Sequence, residues 1–412
     1  VDGDGKNDLL VAQYATPATN NGIYIYRNTS SGATISFATP VILAPNDYQG
    51  CTVGDLDGDG KMDVAVMSNS TIRVYRSTSA AGTISFAPFI NLTCGNAAKG
   101  ITINDIDGDG KADIAIDHYP DAAVSLFRNI SEPGNLAFVT RLNIAIPGGR
   151  NIVLADLDGD KKPDLIVPDA VNNSSAILKN NSTKGVFSFG NPLNLTGFTH
   201  SYMDYGDFDG DGKADIVSGD LNGSQIAVYR NTSSGGTISM AAAVTFPSAT
   251  TPAGVAVSDL DGDGKPDIAV VLGNYNLAVF RNTSSTGNIS FAPKENYIAG
   301  TYNGEHMLAL GDINNDGRND AVVISEVQKT ISIHVNDISP VPFIQSFTPT
   351  AAATGTSVTI SGSNFTGATA VSFGGVPAAS FVVNSPSSIT AVVGTGANGS
   401  VSVTSPQGTG SL

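Results

Sequence analysis

The chain has 412 residues, 41% of them hydrophobic, and carries 37 acidic against 21 basic residues for a net charge of −16. This length exceeds what one compact core usually holds, so it indicates two or three domains or one large repeat array. The acidic balance argues against binding to nucleic acid or to an anionic membrane surface. Membrane insertion is not expected either, because the sequence has no apolar run of 18 residues.

The first eight residues, VDGDGKND, belong to a short acidic motif that recurs along the chain. The copies are VDGDGKND at 1–8, DLDGDGKMD at 55–63, DIDGDGKAD at 105–113, DLDGDKKPD at 156–164, DFDGDGKAD at 207–215, DLDGDGKPD at 259–267 and DINNDGRND at 312–320. Consecutive copies lie 50 to 55 residues apart, a regularity typical of repeat architectures. Because the chain opens inside a truncated copy, we expect further domains of the same longer chain upstream.

Each period contains an apolar pattern that indicates four short β-strands and no helix. One strand precedes the acidic motif, and a near-continuous β-branched run such as DVAVMS at 63–68 follows it. An alternating strand, such as TIRVYR at 71–76, comes next, and a segment such as TISFAPF at 83–89 closes the period. Four strands per unit and seven units are what a β-propeller requires. We therefore predict an all-β chain with a seven-bladed β-propeller over residues 1–337.

The acidic motif has the ligand pattern of a loop that binds a hard cation such as calcium. Positions 1, 3, 5 and 9 carry side-chain oxygens, position 7 offers a backbone carbonyl, and glycine at position 6 permits a sharp turn. An EF-hand loop opens in the same way but needs Glu at position 12 and flanking helices, which are missing here. We expect up to seven structural Ca²⁺ ions, with a solvated acidic turn as the alternative. The predicted ligands, in which lysine and arginine contribute only their carbonyl oxygen, are Asp2, Asp4, Lys6, Asp8, Asp55, Asp57, Asp59, Lys61, Asp63, Asp105, Asp107, Asp109, Lys111, Asp113, Asp156, Asp158, Asp160, Lys162, Asp164, Asp207, Asp209, Asp211, Lys213, Asp215, Asp259, Asp261, Asp263, Lys265, Asp267, Asp312, Asn314, Asp316, Arg318 and Asp320.

Two of the seven loops depart from the pattern. Lys161 stands where glycine belongs, which costs about 1 kcal/mol if that position is left-handed. Asn314 and Asn315 replace the Asp-Gly pair of the seventh loop, so we expect that loop to be the weakest complete site. The seven loops hold 26 of the 37 acidic residues, and seven Ca²⁺ ions would bring the net charge from −16 to −2.

Two further features recur in the segment after the acidic motif. Asparagines such as Asn28, Asn231 and Asn282 start N-x-S sequons, which we interpret as turn chemistry rather than glycosylation sites. Each third strand except the seventh ends in a basic residue, interpreted as a structural partner of the acidic loops rather than as part of a ligand-binding ring. These basic residues are Arg27, Arg76, Arg128, Lys179, Arg230 and Arg281.

The motif and its flanking strands resemble a known repeat family. The acidic loop followed by VYRNTSSGGTISM, as at 228–240, is similar to the FG-GAP/VCBS-type repeat, whose members are similar to the integrin α-subunit propeller. The resemblance covers residues 1 to about 336 in seven copies. It implies a seven-bladed propeller with calcium in the loops between the first and second strands of the blades.

The composition changes after residue 337. A proline-containing linker, ISPVP, covers 338–342, and residues 343–412 contain no acidic residue. Short runs of Val, Ile, Thr and Phe broken by Gly, Asn and Pro predict a small immunoglobulin-like β-sandwich over 343–412. The stretches at 346–365 and 371–378 resemble the IPT/TIG domain. Because its last strand is expected to be missing, we predict a C-terminal truncation and more of the same chain downstream.

Cys51 and Cys94 are the only cysteines, and they lie in neighbouring repeats just before the acidic motif. The sequence leaves open whether they form a disulfide or are two small buried hydrophobic residues.

The sequence offers few candidates for catalysis. It has four histidines and lacks the G-x-S-x-G and H-E-x-x-H motifs, so we predict a protein that is not an enzyme. The leading hypothesis is an extracellular, secreted or cell-surface, calcium-stabilised module that binds a glycan or a protein. The alternatives are a polysaccharide-active enzyme of the lyase type and a purely architectural element of a surface fibre.

The ligand is expected on the face opposite the calcium loops, because the connections there vary between repeats. Variable loops on a rigid scaffold are where binding groups usually sit, although these loops could instead be merely unconstrained. The candidate ligand-binding residues are Tyr48, His118, Tyr119, Arg150, His200, Tyr202, Tyr275, Tyr302, Glu305 and His306.

Overall fold

A computed structural model describes most of the chain. The described residues are 1–13, 22–32, 34–43, 50–68, 70–119, 121, 123–146, 151–169, 173–198, 200–274, 276–299, 308–325, 330–338, 341–395, 398–406 and 408–412. They contain β-strands and turns but no helix, as the all-β prediction requires.

Seven antiparallel sheets follow one another along the first four fifths of the chain, one for each sequence repeat. The first sheet contains β1 (Leu9–Gln13), β2 (Gly22–Tyr26) and β3 (Val41–Leu43). The second contains β4 (Gly50–Gly54), β5 (Asp63–Met67), β6 (Thr71–Tyr75) and β7 (Ile90–Thr93), and the third contains β8 (Ala98–Asn104), β9 (Asp113–His118), β10 (Ala123–Phe127) and β11 (Leu142–Ala145). The fourth contains β12 (Val153–Ala155), β13 (Asp164–Asp169), β14 (Ser174–Leu178) and β15 (Leu193–Thr196), and the fifth contains β16 (His200–Gly206), β17 (Asp215–Asp220), β18 (Gln225–Tyr229) and β19 (Val244–Pro247). The sixth contains β20 (Pro252–Ser258), β21 (Asp267–Leu272), β22 (Asn276–Phe280) and β23 (Glu295–Ile298), and the seventh contains β24 (Leu308–Gly311), β25 (Asp320–Ser325) and β26 (Thr330–His334).

The strands of each of these sheets pair in chain order, so each acidic motif after the first lies in the turn between two adjacent strands. In the second sheet, for example, Ala65 on β5 lies opposite Thr52 on β4 and opposite Val74 on β6. In the described residues the first and seventh sheets have three strands.

Burial falls from the strand that follows the acidic motif toward the last strand of each sheet. All residues of β5, β9, β13, β17 and β21 are buried, whereas all four residues of β23 are exposed. The near-continuous apolar runs therefore form strands that are covered on both faces, as their sequence pattern predicts.

The core lies between neighbouring sheets. Ala65 and Met67 of the second sheet share a cluster with Ile114 and Ile116 of the third. Clusters of the same kind join later neighbours in the chain. The first sheet also packs against the seventh, since Leu9 of β1 and Val322 of β25 belong to one cluster. The repeat array consequently closes on itself.

Two further sheets form the C-terminal sandwich. One has the order β27 (Phe343–Thr348), β28 (Ser357–Ser363), β32 (Ser388–Val392) and β31 (Ser380–Ser385). The other has the order β30 (Val376–Pro377), β29 (Ala370–Phe373), β33 (Val401–Ser405) and β34 (Gly408–Ser411). Its core includes the buried side chains of Val358, Ile360, Phe365, Ile389 and Val403.

The chain divides into two compact units. One comprises residues 1–257 and 268–335, and the other comprises 258–267 and 336–412. The second unit thus includes the sixth acidic loop, a grouping that the predicted boundary at residue 337 does not anticipate.

Candidate metal centres

The aspartate at position 1 of the acidic motif organises the turn around itself. In the second loop, Asp55 Oδ1 accepts hydrogen bonds from the N–H groups of Gly58 at 2.8 Å and Asp59 at 3.1 Å. Asp55 Oδ2 accepts a further bond from the Gly60 N–H at 2.9 Å. Gly58 and Gly60 have φ angles of 76° and 84°, a region that favours glycine. The repeated Asp-Gly-Asp-Gly sequence therefore wraps the backbone around one carboxylate.

The aspartates at positions 3 and 5 continue this pattern. Asp57 Oδ1 accepts from the Asp59 N–H at 3.2 Å, and Asp59 Oδ1 accepts from the Lys61 N–H at 2.9 Å. The first, third, fourth, fifth, sixth and seventh loops make the same bond from position 7 to position 5. One local hydrogen-bond scheme thus shapes every copy of the motif.

The aspartate at position 9 is the most buried member of the loop. Asp63 Oδ2 accepts from the Leu56 N–H at 2.9 Å, and Asp63 Oδ1 accepts from the Ser77 N–H at 2.7 Å. Burial raises the pKa of Asp63 to about 6 and that of Asp113 to about 7, although the two N–H bonds on each carboxylate act in the opposite direction. Neighbouring carboxylates raise both pKa values further. A bound cation would relieve this cost of holding negative charge in the interior.

Five loops bring three carboxylates together. In each, one oxygen atom from every member lies within 4.8 Å of the others. The clusters are Asp55, Asp57 and Asp63; Asp105, Asp107 and Asp113; Asp156, Asp158 and Asp164; Asp207, Asp209 and Asp215; and Asp259, Asp261 and Asp263. Calcium binds oxygen at about 2.3–2.6 Å, so ligands on opposite sides of one ion are separated by about 5 Å. The spacing and the hard oxygen donors of these clusters fit a calcium ion.

The first and seventh loops have similar turns without a described group of three acidic residues. In the first, Asp4 donates its N–H to Asp2 Oδ1 at 3.1 Å. In the seventh, Asp316 donates its N–H to Asp312 Oδ1 at 3.0 Å and to Asn314 Oδ1 at 3.0 Å. The asparagine at position 3 is thus oriented as an aspartate would be, but it brings no charge.

The remaining predicted ligands lie in the same turns. Asp109, Asp160 and Asp211 occupy position 5, Lys111, Lys162, Lys213 and Lys265 occupy position 7, and Asp267 and Asp320 occupy position 9. The ammonium groups of Lys6, Lys111 and Lys162 donate to the carbonyl oxygens of Ser30, Ser131 and Ser182. These lysine side chains therefore connect the loop to the following segment.

The basic residues that end the third strands face the acidic loops, as the sequence indicates. Arg76 Nε lies 4.0 Å from Asp57 Oδ2, and Arg230 Nη1 lies 4.0 Å from Asp209 Oδ2. Lys179 Nζ donates directly to Asp158 Oδ2. Their interpretation as structural partners of the loops is confirmed at these three positions.

An asparagine links every sheet except the second, which has Ser77 at this position, to the sheet before it, a role that sequence reasoning missed. Asn129, which is fully buried, lies in the segment between the third and fourth strands, called the repeat hairpin here. Its Oδ1 accepts from the Ser131 N–H, and its Nδ2 donates to Ala112 O and, in the preceding loop, to Leu56 O, both at 2.7 Å. The equivalent bonds to the preceding loop run from Asn28 to Ile313, Asn180 to Ile106, Asn231 to Leu157, Asn282 to Phe208 and Asn336 to Leu260.

The turn interpretation of the N-x-S sequons is therefore confirmed, and the same amides have a second, long-range partner. The signal that could have revealed it is the fixed position of asparagine in hairpins that otherwise vary. Asn28 is equivalent to Asn129, and its bond to Ile313 at 2.8 Å joins the first sheet to the seventh.

Repeat hairpins also contact the acidic loop of the preceding sheet through a glycine N–H. The donor and the position-3 acceptor are Gly82 and Asp2, Gly134 and Asp57, Gly185 and Asp107, and Gly287 and Asp209, at 2.8–2.9 Å. Four of the candidate metal loops are thus supported by the next sheet along the chain.

Three of the ten candidate ligand-binding residues, His118, Tyr119 and Tyr202, have described side chains, and two of the three are buried. His118 is 2% exposed and Tyr202 is 4% exposed, so both belong to the interior rather than to a ligand-contacting face. His118 is held there because its ring nitrogens lie 2.8 Å from Asn96 O and 2.9 Å from Ser125 Oγ, and burial lowers its pKa. Tyr119 is partly exposed in the turn after β9, and its N–H donates to Ala97 O.

The side chains of the other seven candidates lie outside the described part of the structure. His200 begins β16. The predictions for Tyr48, Arg150, Tyr275, Tyr302, Glu305 and His306 lie outside the described residues.

Cys51 and Cys94 are free thiols. Burial raises the pKa of Cys51 to about 12 and that of Cys94 to about 11. The interpretation as a small buried hydrophobic group is confirmed for Cys94, whereas Cys51 is only partly buried. Among the described residues, no helix is long and apolar enough to cross a membrane.

Comparison with solved structures identifies the fold of the repeat array. A putative 6-phosphogluconolactonase from Bacteroides fragilis is 15% identical with a TM-score of 0.56, over 80% of this chain and 90% of that chain. BBS1N, crystallised in complex with ARL6DN, is 13% identical with a TM-score of 0.51, over 81% and 88% of the two chains. An Agrocybe aegerita lectin that recognises non-reducing terminal N-acetylglucosamine is 18% identical with a TM-score of 0.50, over 81% and 83%. At these identities the likeness concerns the fold alone, a β-propeller.

Comparison with curated protein sequences found no match. Family models do match. The FG-GAP-like repeat matches residues 1–66, 55–116, 207–270 and 261–323, which together span more than half of the chain, and the IPT/TIG domain matches 342–411. The chain therefore belongs to the FG-GAP-like repeat proteins, with a β-propeller followed by an IPT/TIG domain.

Proposed function

We propose that this protein is an extracellular binding module whose propeller is stabilised by calcium. The observation that carries the calcium assignment is the spacing of the five acidic clusters, in which three carboxylate oxygens lie within 4.8 Å of one another. Asp55, Asp57 and Asp63 illustrate the set, with Asp59 and the carbonyl of Lys61 available to complete it. The ion would neutralise charge that burial makes costly and would hold the turn between two strands.

The calcium would stabilise the fold rather than take part in a reaction. Its ligands are fixed by backbone N–H groups of the same turn, and the position-3 carboxylates also accept from the next sheet. Such an ion binds two parts of the fold together. FG-GAP repeats and IPT/TIG domains are typical of binding and adhesion modules, which supports a non-catalytic role.

The ligand would be a glycan or a protein, bound by the connections on the side of the propeller away from the acidic loops. One propeller neighbour is a lectin for N-acetylglucosamine, and another was crystallised with a protein partner. Tyr119 is the one candidate with a described, partly exposed side chain on that side, at the end of β9 opposite to the third acidic loop.

A glycan array probed with the labelled protein, with and without about 1 mM calcium, tests the binding role. Binding that requires calcium and falls at least tenfold in Tyr119→Ala is the expected result. The exposed Tyr297→Ala, on the outer strand β23, is the matched control and should bind normally. Equal binding by both variants would mean that the ligand binds elsewhere than on this face. Hydrolysis or elimination of an array glycan would overturn the non-catalytic assignment.

A further inference from the structure

The fourth acidic loop differs from the others in the cation that faces it. Lys179, which follows β14, donates from Nζ to Asp158 Oδ2 and lies 3.6 Å from Asp160 Oδ2. The side chain of Asp158 is fully buried, and Asp158 is a member of the three-carboxylate cluster of this loop. An ammonium group of the protein is therefore bonded to one of the candidate metal ligands.

The equivalent residue is an arginine in the first, second, third, fifth and sixth repeats, and the arginines with described ion pairs stay farther away from the acidic loop. Arg76 and Arg230 each approach the position-3 carboxylate at 4.0 Å, which is too long for a hydrogen bond. A guanidinium group spreads its charge over a plane, whereas an ammonium group is a compact point charge. Lysine at position 179 thus places more concentrated positive charge against its acidic loop than arginine does against the second and fifth.

Lys179 also takes over a contact that a glycine makes in other repeats. The second loop shows the usual arrangement, in which Asp57 Oδ2 accepts from the Gly134 N–H of the next sheet. In the fourth loop the corresponding oxygen of Asp158 accepts from Lys179, whose Nζ also donates to Gly236 O of the next sheet at 2.7 Å. The lysine side chain therefore bonds to the acidic loop of the fourth sheet and to the hairpin of the fifth sheet at the same time.

The fourth loop itself carries one positive charge more than the second loop. Positions 6 and 7 of the fourth loop are Lys161 and Lys162, whereas the second loop has glycine and Lys61 there. Each of these two loops has four aspartates. A divalent ion in the fourth loop would face more positive charge for the same number of carboxylates, and it would compete with an ammonium group for Asp158.

We propose that Lys179 takes the place of calcium in the fourth loop, so that this loop binds calcium most weakly of the five three-carboxylate loops. The proposal rests on the calcium-binding function proposed above. In the fourth repeat, the Lys179 ammonium group then takes the role that calcium has in the other loops. The fourth and fifth sheets consequently stay linked when the calcium concentration is low.

The test counts calcium bound per chain by equilibrium dialysis at about 1 mM free calcium, in wild type and in Lys179→Met and Lys179→Arg. Each variant is expected to bind one more calcium than wild type. Lys179→Arg restores the residue of the other repeats and serves as the folded variant if the methionine change disturbs packing. Arg230→Met, the matched change in the next repeat, should bind the same number as wild type.

Two outcomes would overturn the proposal while leaving calcium binding itself intact. One is an unchanged count in both Lys179 variants. The other is a gain in Lys161→Gly that neither Lys179 variant shows, which would assign the weak site to the loop backbone. No calcium bound by any of these proteins would instead contradict the proposed function, and this inference with it.

Discussion

In the third repeat, the side chain of Asn129 connects three segments of the propeller. Asn129 holds its own hairpin through Ser131, its own acidic loop through Ala112 O, and the preceding loop through Leu56 O. The bond to Leu56 O is buried from water, and the bond to Ala112 O is partly buried. Buried polar groups that lose a partner are costly, so this residue contributes to stability out of proportion to its size.

Asn129→Ala should lower the free energy of unfolding by roughly 2–4 kcal/mol, because one buried and one partly buried carbonyl oxygen lose their donor. Urea denaturation measures the change. Asn91→Ala, at an exposed asparagine on the outer strand β7, is the matched control and should change stability by less than about 0.5 kcal/mol. Equal costs for the two variants would contradict the linking role of Asn129.

The buried aspartates make the metal-free protein sensitive to pH. The pKa values of Asp63, Asp164 and Asp215 are raised to about 6 and that of Asp113 to about 7, chiefly by burial. Because these values lie above the ordinary value of 3.8, the folded state binds protons more tightly than the unfolded state. The resulting stabilisation is fully present below about pH 4 and is lost as the pH rises through 6 to 7.

Metal-stripped protein should therefore melt at a higher temperature at pH 5 than at pH 8. Calcium needs the deprotonated carboxylates, so the stabilisation that calcium provides should grow over the same interval. Differential scanning fluorimetry at both pH values, with and without calcium, measures the two effects. A metal-free melting temperature that increases from pH 5 to pH 8 would contradict the direction of these pKa shifts.

At the scale of the elements, local sequence patterns predicted strands and turns. They did not predict contacts between residues that are far apart in the chain. The strand after each acidic motif and the shape of the turn could be predicted, because β-branched runs and Asp-Gly pairs act within a few residues. The bond from Asn129 to Leu56 O joins residues 73 apart, so the recurrent position of asparagine marks the hairpin but does not identify this distant partner. The burial of His118 and Tyr202 was not predicted either. The segments that vary between repeats show no regular hydrophobic spacing from which buried side chains could be identified.

One element-level prediction concerns the turn of the fourth loop. Lys161 has a φ of 68°, which confirms the left-handed conformation expected at position 6. Lys161→Gly should increase the stability of the metal-free protein by about 1 kcal/mol, because glycine adopts this conformation without strain. Lys162→Gly is the control and should bring no gain, since it removes the bond to Ser182 O. Chemical denaturation of both variants separates backbone strain from a general effect of removing a lysine.

At the scale of the whole molecule, the repeat array closes by using the contact that joins its interior sheets. Asn28 reaches Ile313 across the closure, as Asn180 reaches Ile106 within the array. The first and seventh sheets also share the cluster that contains Leu9 and Val322.

Asn28→Ala and Asn180→Ala should cost similar amounts of unfolding free energy if the closure is formed in solution. Both changes remove one bond to a neighbouring sheet and one bond within the same sheet. Urea denaturation of the two variants compares the closure with an interior junction. A much smaller cost for Asn28→Ala would indicate that the first and seventh sheets separate readily.

The most direct test of a calcium-stabilised propeller is the melting temperature in calcium and in excess chelator. An ion that binds only the folded state stabilises it by about 2.7 kcal/mol per site at one hundred times its dissociation constant. Several such sites should raise the melting temperature of a domain this large by roughly 10 °C or more. Calorimetry of the wild-type protein at pH 7.5, in about 1 mM calcium and then in EDTA with magnesium restored, measures this difference. A large drop in chelator that magnesium does not reverse is the expected result, whereas superimposable melting curves would contradict the assignment of the acidic loops as calcium sites.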